Sequence, residues 1–231
     1  MQNPLKYELH HQTFWLSPER CIYWEERKAL ILSDLHFGKT GHFRKSGIPV
    51  PPKVYKEDLQ RLIEQIQFFK AEELIVVGDL FHSKENKELE LFLKWRNDLS
   101  WLNIKLVKGN HDILHDRWYK QASIEVFDEC LTIEEFTFIH DISACEKSGQ
   151  YFFSGHIHPG IYISGLGKQS LQFPCFYFGS QYAVLPAFSR FTGLAMIDPH
   201  EGEDVFAIIP SNPLRGERGS LVKISTALDL H

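Results

Sequence analysis

The chain has 231 residues, a length that a single domain can reach, and its 43% hydrophobic and 24% charged residues are typical of a globular protein with a sizeable core. Its net charge of −5 argues against an extended face for duplex nucleic acid, but not against a small site where bound cations would reverse the local sign. The N-terminus has no signal-peptide pattern, no apolar run approaches the ~20 residues of a membrane helix, and the four cysteines are widely spaced. We therefore predict a cytoplasmic protein with free thiols and no membrane association.

The first half of the chain predicts strands that alternate with helices. Strands are predicted over residues 7–9, 13–16, 20–24, 29–33, 74–77 and 104–107, and helices are predicted from near Pro52 to Ile66 and over 86–99. The segment over 29–33 is a continuous apolar run, as expected for a buried strand, and 74–77 is another buried strand. This alternation implies right-handed crossovers and a mainly parallel sheet.

From about Ile124 the pattern changes to short β segments with turns and little helix. The candidates cover residues 125–127, 132–139, 151–154, 161–164, 176–178, 194–198 and 205–210. They predict a second, mixed sheet packed against the first, giving an α/β fold in which two mixed β-sheets form a sandwich flanked by helices. We expect one domain over residues 1–210, followed by a polar, loop-like tail over 211–231.

Five polar segments stand where strands are predicted to end. They are Asp34-Leu35-His36, Gly78-Asp79, Gly109-Asn110-His111-Asp112, His140 and Gly155-His156-Ile157-His158. Ligands bind in the crevice at the carboxyl ends of the strands in open α/β sheets. Three successive strands should therefore bring Asp34, Asp79 and Asn110 to one edge.

These residue types predict a metal centre. Carboxylate oxygens, an amide oxygen and imidazole nitrogens together suit Mn²⁺, Fe²⁺ or Zn²⁺. Alternate residues of an extended segment share one face, so Asp34 and His36 should point the same way, and the same holds for the two histidines after Gly155. Two metals ~3.5–4 Å apart need a bridging ligand, and a carboxylate serves well. Asp79 is the candidate bridge.

Each segment also has a simpler interpretation. Asp34 alone could be a turn residue or a helix cap, Gly78-Asp79 alone is a turn signal, and His140 alone could be a hydrogen-bonded buried histidine. Turns, however, do not require histidine, and four of the five segments contain one. The conjunction therefore favours a metal site over five unrelated turns.

In this order, the five segments resemble the motif set of the calcineurin-like metallophosphoesterases, whose fold has four layers. The resemblance implies one metal held by Asp34, His36, Asp79 and His158, and a second held by Asp79, Asn110, His140 and His156. It implies two divalent ions, with Mn²⁺ preferred and Fe or Zn as alternatives. His111 would lie near the leaving group or the phosphoryl oxygens, with Asp112 orienting it. His140 departs from the common pattern because Asp141, and not glycine, follows it, which leaves His115 as the alternative ligand.

A narrower resemblance is to the ligase-associated DNA damage response endonucleases, phosphodiesterases encoded beside a bacterial DNA ligase and helicase. The segment Asp34-Leu35-His36-Phe37-Gly38-Lys39 is similar to that family. Further similar segments are residues 43–44, 47–51, 78–83, 154–159, 174–176, 185–188 and 191–193. The resemblance implies hydrolysis of phosphodiester bonds in single-stranded or damaged DNA, and a functional link to a ligase and a helicase in DNA repair.

The segment that follows the first metal motif is a candidate substrate loop. Lys39, Phe43 and Arg44 combine basic groups with an aromatic ring, which suits a phosphate strand with a stacked base. A solvated loop with ordinary basic residues is the alternative interpretation. Two other functions also stay open: a phosphodiesterase or pyrophosphatase acting on small nucleotides, which the acidic net charge favours, and a non-catalytic scaffold of the same fold.

Overall fold

The computed structural model describes residues 3–39, 53–82, 87–144, 149–164, 170–212, 214 and 216–225. Within these ranges, the first sheet contains seven strands side by side in chain order. They are β1 (Leu5–Leu9), β2 (Gln12–Ser17), β3 (Cys21–Trp24), β4 (Ala29–Leu32), β5 (Glu73–Val77), β6 (Asn103–Val107) and β7 (Ile124–Phe127). Strands β1 to β4 pair antiparallel and β4 to β7 pair parallel, so the sheet is mixed, as predicted.

Three α-helices pack on one face of this sheet in the described part of the chain. They are α1 (Lys53–Phe69), α2 (Lys87–Asp98) and α3 (Asp116–Gln121), and each contributes apolar side chains to the same core cluster. Helix α3 was not predicted, because its six residues are too few to show a helical period. No helix in the described ranges combines the length and the apolar character needed to cross a membrane.

Strands β4 and β5 are buried on both faces, which explains their continuous apolar sequences. Leu30 and Leu74 belong to the cluster beneath the helices. Ile31 and Ile75, one position further along each strand, belong to the cluster between the two sheets. The alternation follows from the two-residue period of a strand, and it fixes these two strands in the centre of the molecule.

The second sheet is built from nine strands in the ranges described. They are β8 (Cys130–Ile133), β9 (Phe136–Ile139), β10 (Tyr151–Ser154), β11 (Pro159–Ser164), β12 (Ser170–Phe178), β13 (Tyr182–Val184), β14 (Ala195–Met196), β15 (Asp204–Ile209) and β16 (Ser220–Ile224). The order is β14-β11-β12-β13-β10-β9-β8, with β15 paired to β12 and β16 to β15. Parallel and antiparallel pairs both occur, so this sheet is also mixed.

Aromatic rings fill the space between the sheets. Phe136 makes edge contacts with Phe14 and Trp24 of the first sheet, at ring-centroid distances of 5.3 and 5.2 Å. Phe138 stacks on Phe153 at 5.4 Å within the second sheet. The fold is therefore the predicted α/β sandwich of two mixed sheets, with its aromatic core between them.

Several predicted boundaries differ from the structure. The single strand predicted over 132–139 is two strands, β8 and β9, joined by a turn in which Glu134 adopts a positive φ of 53°. The prediction of a loop-like segment after Ser211 is wrong for β16, which pairs antiparallel with β15. Three of its five residues are exposed, and its apolar residues Leu221, Val222 and Ile224 do not alternate with polar ones, so its own sequence shows no strand period and it depends on backbone pairing with β15.

Candidate metal centre

The ends of β4, β5 and β10 bring a first group of ligand atoms together. Asp34 Oδ1 lies 3.2 Å from His158 Nε2 and 3.9 Å from His36 Nε2. His36 Nδ1 lies 3.9 Å from Asp79 Oδ2. These atoms of Asp34, His36 and His158 are buried, and within the described chain none of them has a hydrogen-bond partner. A divalent cation would satisfy all three residues at once, so the donor set fits a metal.

A second group surrounds His140, which follows β9. Its Nε2 lies 3.2 Å from Asn110 Oδ1, 3.2 Å from His156 Nδ1 and 3.6 Å from Asp79 Oδ2. Its Nδ1 lies 3.1 Å from the carbonyl oxygen of Val77 and can only donate to it. In the neutral ring, Nε2 is then left as an acceptor that faces other acceptor atoms. This is the orientation of a histidine whose free nitrogen is ready for a cation.

Burial shapes the electrostatics of both groups. Burial lowers the pKa of His36 to about 3, so its ring is neutral and able to bind a metal at neutral pH. Burial raises the pKa of Asp79, against the opposing effect of His140. Both shifts disfavour the charged form of a side chain that is buried away from solvent. A divalent cation would restore the charged form of the carboxylate and use the neutral form of the imidazole.

The backbone at these side chains is not extended. The prediction that alternate residues share a face because they lie in extended segments is therefore wrong for Asp34 and His36 and for His156 and His158. The predicted ligands with left-handed backbones are Asp34 (φ 54°), His36 (φ 52°), Asp79 (φ 52°), His156 (φ 71°) and His158 (φ 53°). Such values are uncommon outside glycine, although Asp and His adopt them more readily than most residues. The side chains converge through tight left-handed turns, and not through strand alternation. The strain costs on the order of 1–3 kcal/mol per residue, and the surrounding structure must offset it.

Three glycines leave the space that these side chains occupy. A Cβ added to Gly78 would lie 1.9 Å from His140 Nδ1, and one added to Gly109 would lie 2.2 Å from Asp79 Oδ1. A Cβ on Gly155 would lie 1.7 Å from the hydroxyl oxygen of Ser33. In the sequence, Gly78 reads as a turn signal. The structure shows that each of the three glycines is needed because a side chain from another strand passes against it.

Ser33 was missed by the sequence analysis, which took it as the last residue of a strand. It is fully buried, and its hydroxyl contacts Asp34 Oδ2 and lies 2.8 Å from the carbonyl oxygen of Val77. The backbone N–H of His156 donates to the same Asp34 oxygen at 3.1 Å. One oxygen of Asp34 is thus held by the protein, which leaves the other facing the histidines. A serine before a buried aspartate was the only available signal.

His111 lies at the open side of the centre. Its backbone N–H donates to Asp79 Oδ1 at 2.9 Å, and its side chain is 40% exposed with Nε2 4.0 Å from Asp79 Oδ2. The ring packs on that of His82, with 4.3 Å between centroids. Asn110 and His156 are also exposed, so a substrate would approach from this side.

Asp112 does not orient the His111 ring, contrary to the prediction. Its buried carboxylate accepts hydrogen bonds from the backbone N–H groups of Gly109 and Phe81, both at 2.9 Å, and of Leu80 at 3.3 Å. Burial raises its pKa to about 7, although these three bonds oppose the shift. Asp112 therefore ties the loop after β6 to the loop after β5, and acts on the centre through the backbone.

Three predicted substrate-binding residues and the alternative ligand His115 remain to be placed. Lys39 is partly buried beside the centre: burial lowers its pKa, whereas the nearby Asp34 and Asp79 oppose that shift. Phe43 and Arg44 lie outside the described residues. His115, the alternative to His140, is exposed and caps helix α3, where its Nδ1 accepts the backbone N–H of Arg117. Of the two histidines, the structure brings only His140 to the other ligand candidates.

Comparison with known proteins agrees with this geometry. Residues 27–179, more than half of the chain, match the family model described as calcineurin-like phosphoesterase. The crystal structure of the nuclease MPE of Pseudomonas putida is similar, with a TM-score of 0.76 and 29% identity over 89% of this chain and 96% of that one. This similarity is consistent with the ligase-associated endonuclease family suggested by the motifs.

A further solved structure, that of the phosphoesterase Yfce from E. coli, matches with a TM-score of 0.44 and 13% identity over 86% of this chain and 99% of that one. No curated protein sequence matches the chain. The matched family model covers every polar segment that forms the two groups, from Asp34 to His158. The chain therefore belongs to the calcineurin-like phosphoesterase family and is a metal-dependent phosphoesterase.

Proposed function

We propose that this phosphoesterase is a nuclease that hydrolyses phosphodiester bonds in single-stranded or damaged DNA with two divalent metal ions. The observation that carries the proposal is the pair of facing acceptor groups, which share the carboxylate of Asp79 and open toward solvent beside His111. The similarity to a nuclease over most of the chain supports the choice of substrate.

The first metal would be held by Asp34, His36, Asp79 and His158, and the second by Asp79, Asn110, His140 and His156. Asp79 would bridge the two metals because its Oδ2 lies between His36 and His140, while Oδ1 accepts the His111 backbone N–H. Asp34 also lies near both groups, but its oxygen without a hydrogen-bond partner, Oδ1, faces His36 and His158 of the first group. We prefer Mn²⁺ because the family resemblance implies it. Fe and Zn are the alternatives, because this mixture of oxygen and nitrogen ligands suits all three metals.

This arrangement suggests a separate role for the metals and for each residue around them. When bound, two divalent cations make hydroxide available near neutral pH and neutralise the phosphoryl oxygens. His111 would protonate the oxygen that leaves, because its exposed ring lies at the substrate side and its backbone is anchored to Asp79. Lys39 would add positive charge beside the phosphate, since it lies within electrostatic reach of Asp34 and Asp79. Asp112 would keep the loops after β5 and β6 in register.

The acidic net charge restricts the form of the substrate. A charge of −5 suits a short strand held at one phosphate better than a long duplex held along many. It also favours the second candidate function, hydrolysis of small nucleotide phosphodiesters by the same centre. A role in DNA repair beside a ligase and a helicase is part of the proposal, and it is supported by the resemblance of the motifs alone.

The test is cleavage of end-labelled single-stranded DNA by metal-stripped protein, before and after Mn²⁺ is restored. Asp79→Asn should lose at least about 10³-fold in rate, because it removes the bridging charge, whereas Asp128→Asn, which changes a carboxylate 80% exposed, should cleave like the wild type. His111→Ala should still bind Mn²⁺ by calorimetry but lose about 10²–10⁴-fold in turnover.

The outcomes separate the alternatives. Equal cleavage by Asp79→Asn and wild type would remove the two-metal assignment. No cleavage of DNA by an enzyme that still hydrolyses bis(p-nitrophenyl) phosphate would retain the metal chemistry and move the substrate to small nucleotides. Unchanged turnover in Mn²⁺-loaded His111→Ala would remove His111 from the reaction.

A further inference from the structure

A cleft with a volume of about 320 Å³ adjoins the candidate metal centre. Its wall includes Ile157, the residue between His156 and His158, and Pro159, which follows them. Ile142, two residues after His140, lines the same cleft. The cleft is therefore lined by residues that lie next to, or two positions from, three ligand candidates in the chain.

The surface of the cleft is aromatic and apolar. Tyr177 and Tyr182 line it with ring centroids 5.6 Å apart and planes tilted by 36°, and Val184 lies beside them. Ile157 is 41% exposed although its neighbours in the centre are polar. The Tyr177 hydroxyl donates to Glu203 Oε1 at 2.5 Å, which holds its ring in place. Flat rings beside exposed aliphatic groups form a surface suited to the face of another aromatic ring.

The charged residues that line the cleft indicate which part of a nucleic-acid substrate could bind in it. The lining of the cleft includes the carboxylates of Asp198 and Glu203 together with His200. The two carboxylates would repel a phosphate, which argues against the sugar-phosphate backbone as the occupant. They can accept hydrogen bonds from the N–H groups on the edges of nucleobases, which are amino groups on adenine, cytosine and guanine and the ring N–H on thymine. The Glu203 carboxylate is already oriented, because the backbone N–H of His200 donates to Oε2 at 2.8 Å.

We propose that this cleft is a subsite for one nucleobase, the base of the nucleotide next to the phosphate that is cleaved. The inference rests on the proposed function and adds to it the part of the substrate that is recognised. A volume of about 320 Å³ is at the lower end of the range for small-molecule sites and suits a single base or nucleoside. Stacking on tyrosine is tolerant of sequence, so the subsite selects an unpaired base and not a particular one. This would favour single-stranded over duplex DNA.

The test compares two chromogenic diesters with the same leaving group, thymidine 5′-(p-nitrophenyl phosphate) and methyl p-nitrophenyl phosphate. Only the first carries a nucleoside, so the part of the ratio of their kcat/KM values that depends on the Tyr182 ring measures the base subsite. The wild type with Mn²⁺ should prefer the thymidine ester. Tyr182→Ala should lower kcat/KM for the thymidine ester about 10-fold, the size expected from one lost stacking contact. The same variant should leave kcat/KM for the methyl ester unchanged. Tyr182→Phe should keep the preference because it keeps the ring.

Every outcome bears on the inference. Equal losses on both esters in Tyr182→Ala would show a general structural effect and overturn the subsite, as would a wild type with no preference. If Tyr182→Ala does not fold, as judged by circular dichroism, Tyr182→Leu replaces it, since it keeps apolar bulk without an aromatic face. Hydrolysis of neither ester by the Mn²⁺-loaded wild type would instead contradict the proposed function, and the subsite with it.

Discussion

Two buried polar clusters lie side by side in this protein, and they are built on opposite principles. The candidate metal centre gathers carboxylate, amide and imidazole atoms that face each other, and several of them have no hydrogen-bond partner within the described residues. The second cluster, which we call the arginine cluster, consists of Glu19, Arg20, Asp58, Arg61 and Ser189. The two meet at one backbone contact, where the N–H of Ser189 donates to the carbonyl oxygen of Asp34 at 3.2 Å.

The buried charges of the arginine cluster are paired with opposite charges and backbone carbonyl oxygens of the protein itself. Arg61, only 6% exposed, lies 2.9 Å from Asp58 Oδ1 and 3.9 Å from Glu19 Oε2. Its guanidinium donates to the carbonyl oxygen of Phe188 and lies over the Phe188 ring, 4.2 Å from the centroid. Arg61 thus combines opposite charges, a backbone acceptor and an aromatic face, the partners that a buried guanidinium requires.

Arg20 extends this cluster to the loop beside the metal centre. It donates to the carbonyl oxygens of Ala187 and Ser189, at 3.2 and 2.9 Å. The same loop hydrogen-bonds to the strand that ends at Asp34, because Phe188 N–H donates to the Ser33 carbonyl oxygen at 2.8 Å. The arginine cluster therefore supports the backbone that carries a predicted ligand.

The two clusters show how a buried polar group that stabilises the fold differs from one that serves a binding site. A buried charge is stable when the protein supplies its opposite and hydrogen-bond partners, as around Arg61, although Arg61 Nε has no hydrogen-bond partner within the described residues. Around Asp34 and His140 the protein instead leaves carboxylate, amide and imidazole atoms facing each other, an arrangement that a cation would complete. Breaking the first cluster should therefore damage folding, whereas altering the second should damage metal binding.

The largest effect is expected from Arg61→Met. This change leaves Asp58 buried beside an apolar side chain, so we expect a loss of about 3–5 kcal/mol in the free energy of unfolding, measured by urea denaturation of the metal-free protein. Lys6→Met, which breaks an exposed pair, is the control and should change little. A loss in Arg61→Met as small as in the control would show that the arginine cluster is not a stabilising unit.

The next effect concerns metal binding to the other cluster. Mn²⁺ at 100 times its dissociation constant should raise the free energy of unfolding of the wild type by about 2.7 kcal/mol. His158→Ala should lose most of this increase, because it removes a nitrogen 3.2 Å from Asp34 Oδ1. His115→Ala should keep it, since His115 caps a helix away from the centre. If His115→Ala lost the Mn²⁺ effect and His158→Ala retained it, the ligand assignment would be wrong.

The smallest effect tests the space left by a glycine. In Gly155→Ala the new methyl group would collide with the Ser33 hydroxyl, and we expect a cost of about 2 kcal/mol with weaker binding of Mn²⁺. Gly193→Ala is the matched control, because no atom lies within 4 Å of its added Cβ. Denaturation and Mn²⁺ titration of both variants measure the difference. Equal Mn²⁺ affinity in the two variants would mean that Ser33 and Asp34 do not need this clearance.

Much of this protein follows from local sequence. The apolar sequences of β4 and β5 predict buried strands because a strand covered on both faces needs apolar residues at nearly every position, and the next strand, β6, still has three apolar residues of five. Asp34, Asp79 and Asn110 follow those strands directly, so parallel pairing alone brings them to one edge. Residue chemistry then predicts a metal, because facing carboxylates, amides and imidazoles have few other uses.

Other features were decided by the tertiary structure alone. The left-handed backbones of Asp34 and His36, the carboxylate of Asp112 on two loops, and strand β16 have no local signature. Such features depend on residues that are distant in the chain. The absence of a side chain at Gly155 leaves room for the Ser33 hydroxyl, and the backbone N–H of His156 donates to Asp34, 122 positions away. Local sequence sets propensity and chemistry, whereas clearance and hydrogen-bond partnership arise only when separate strands pack together.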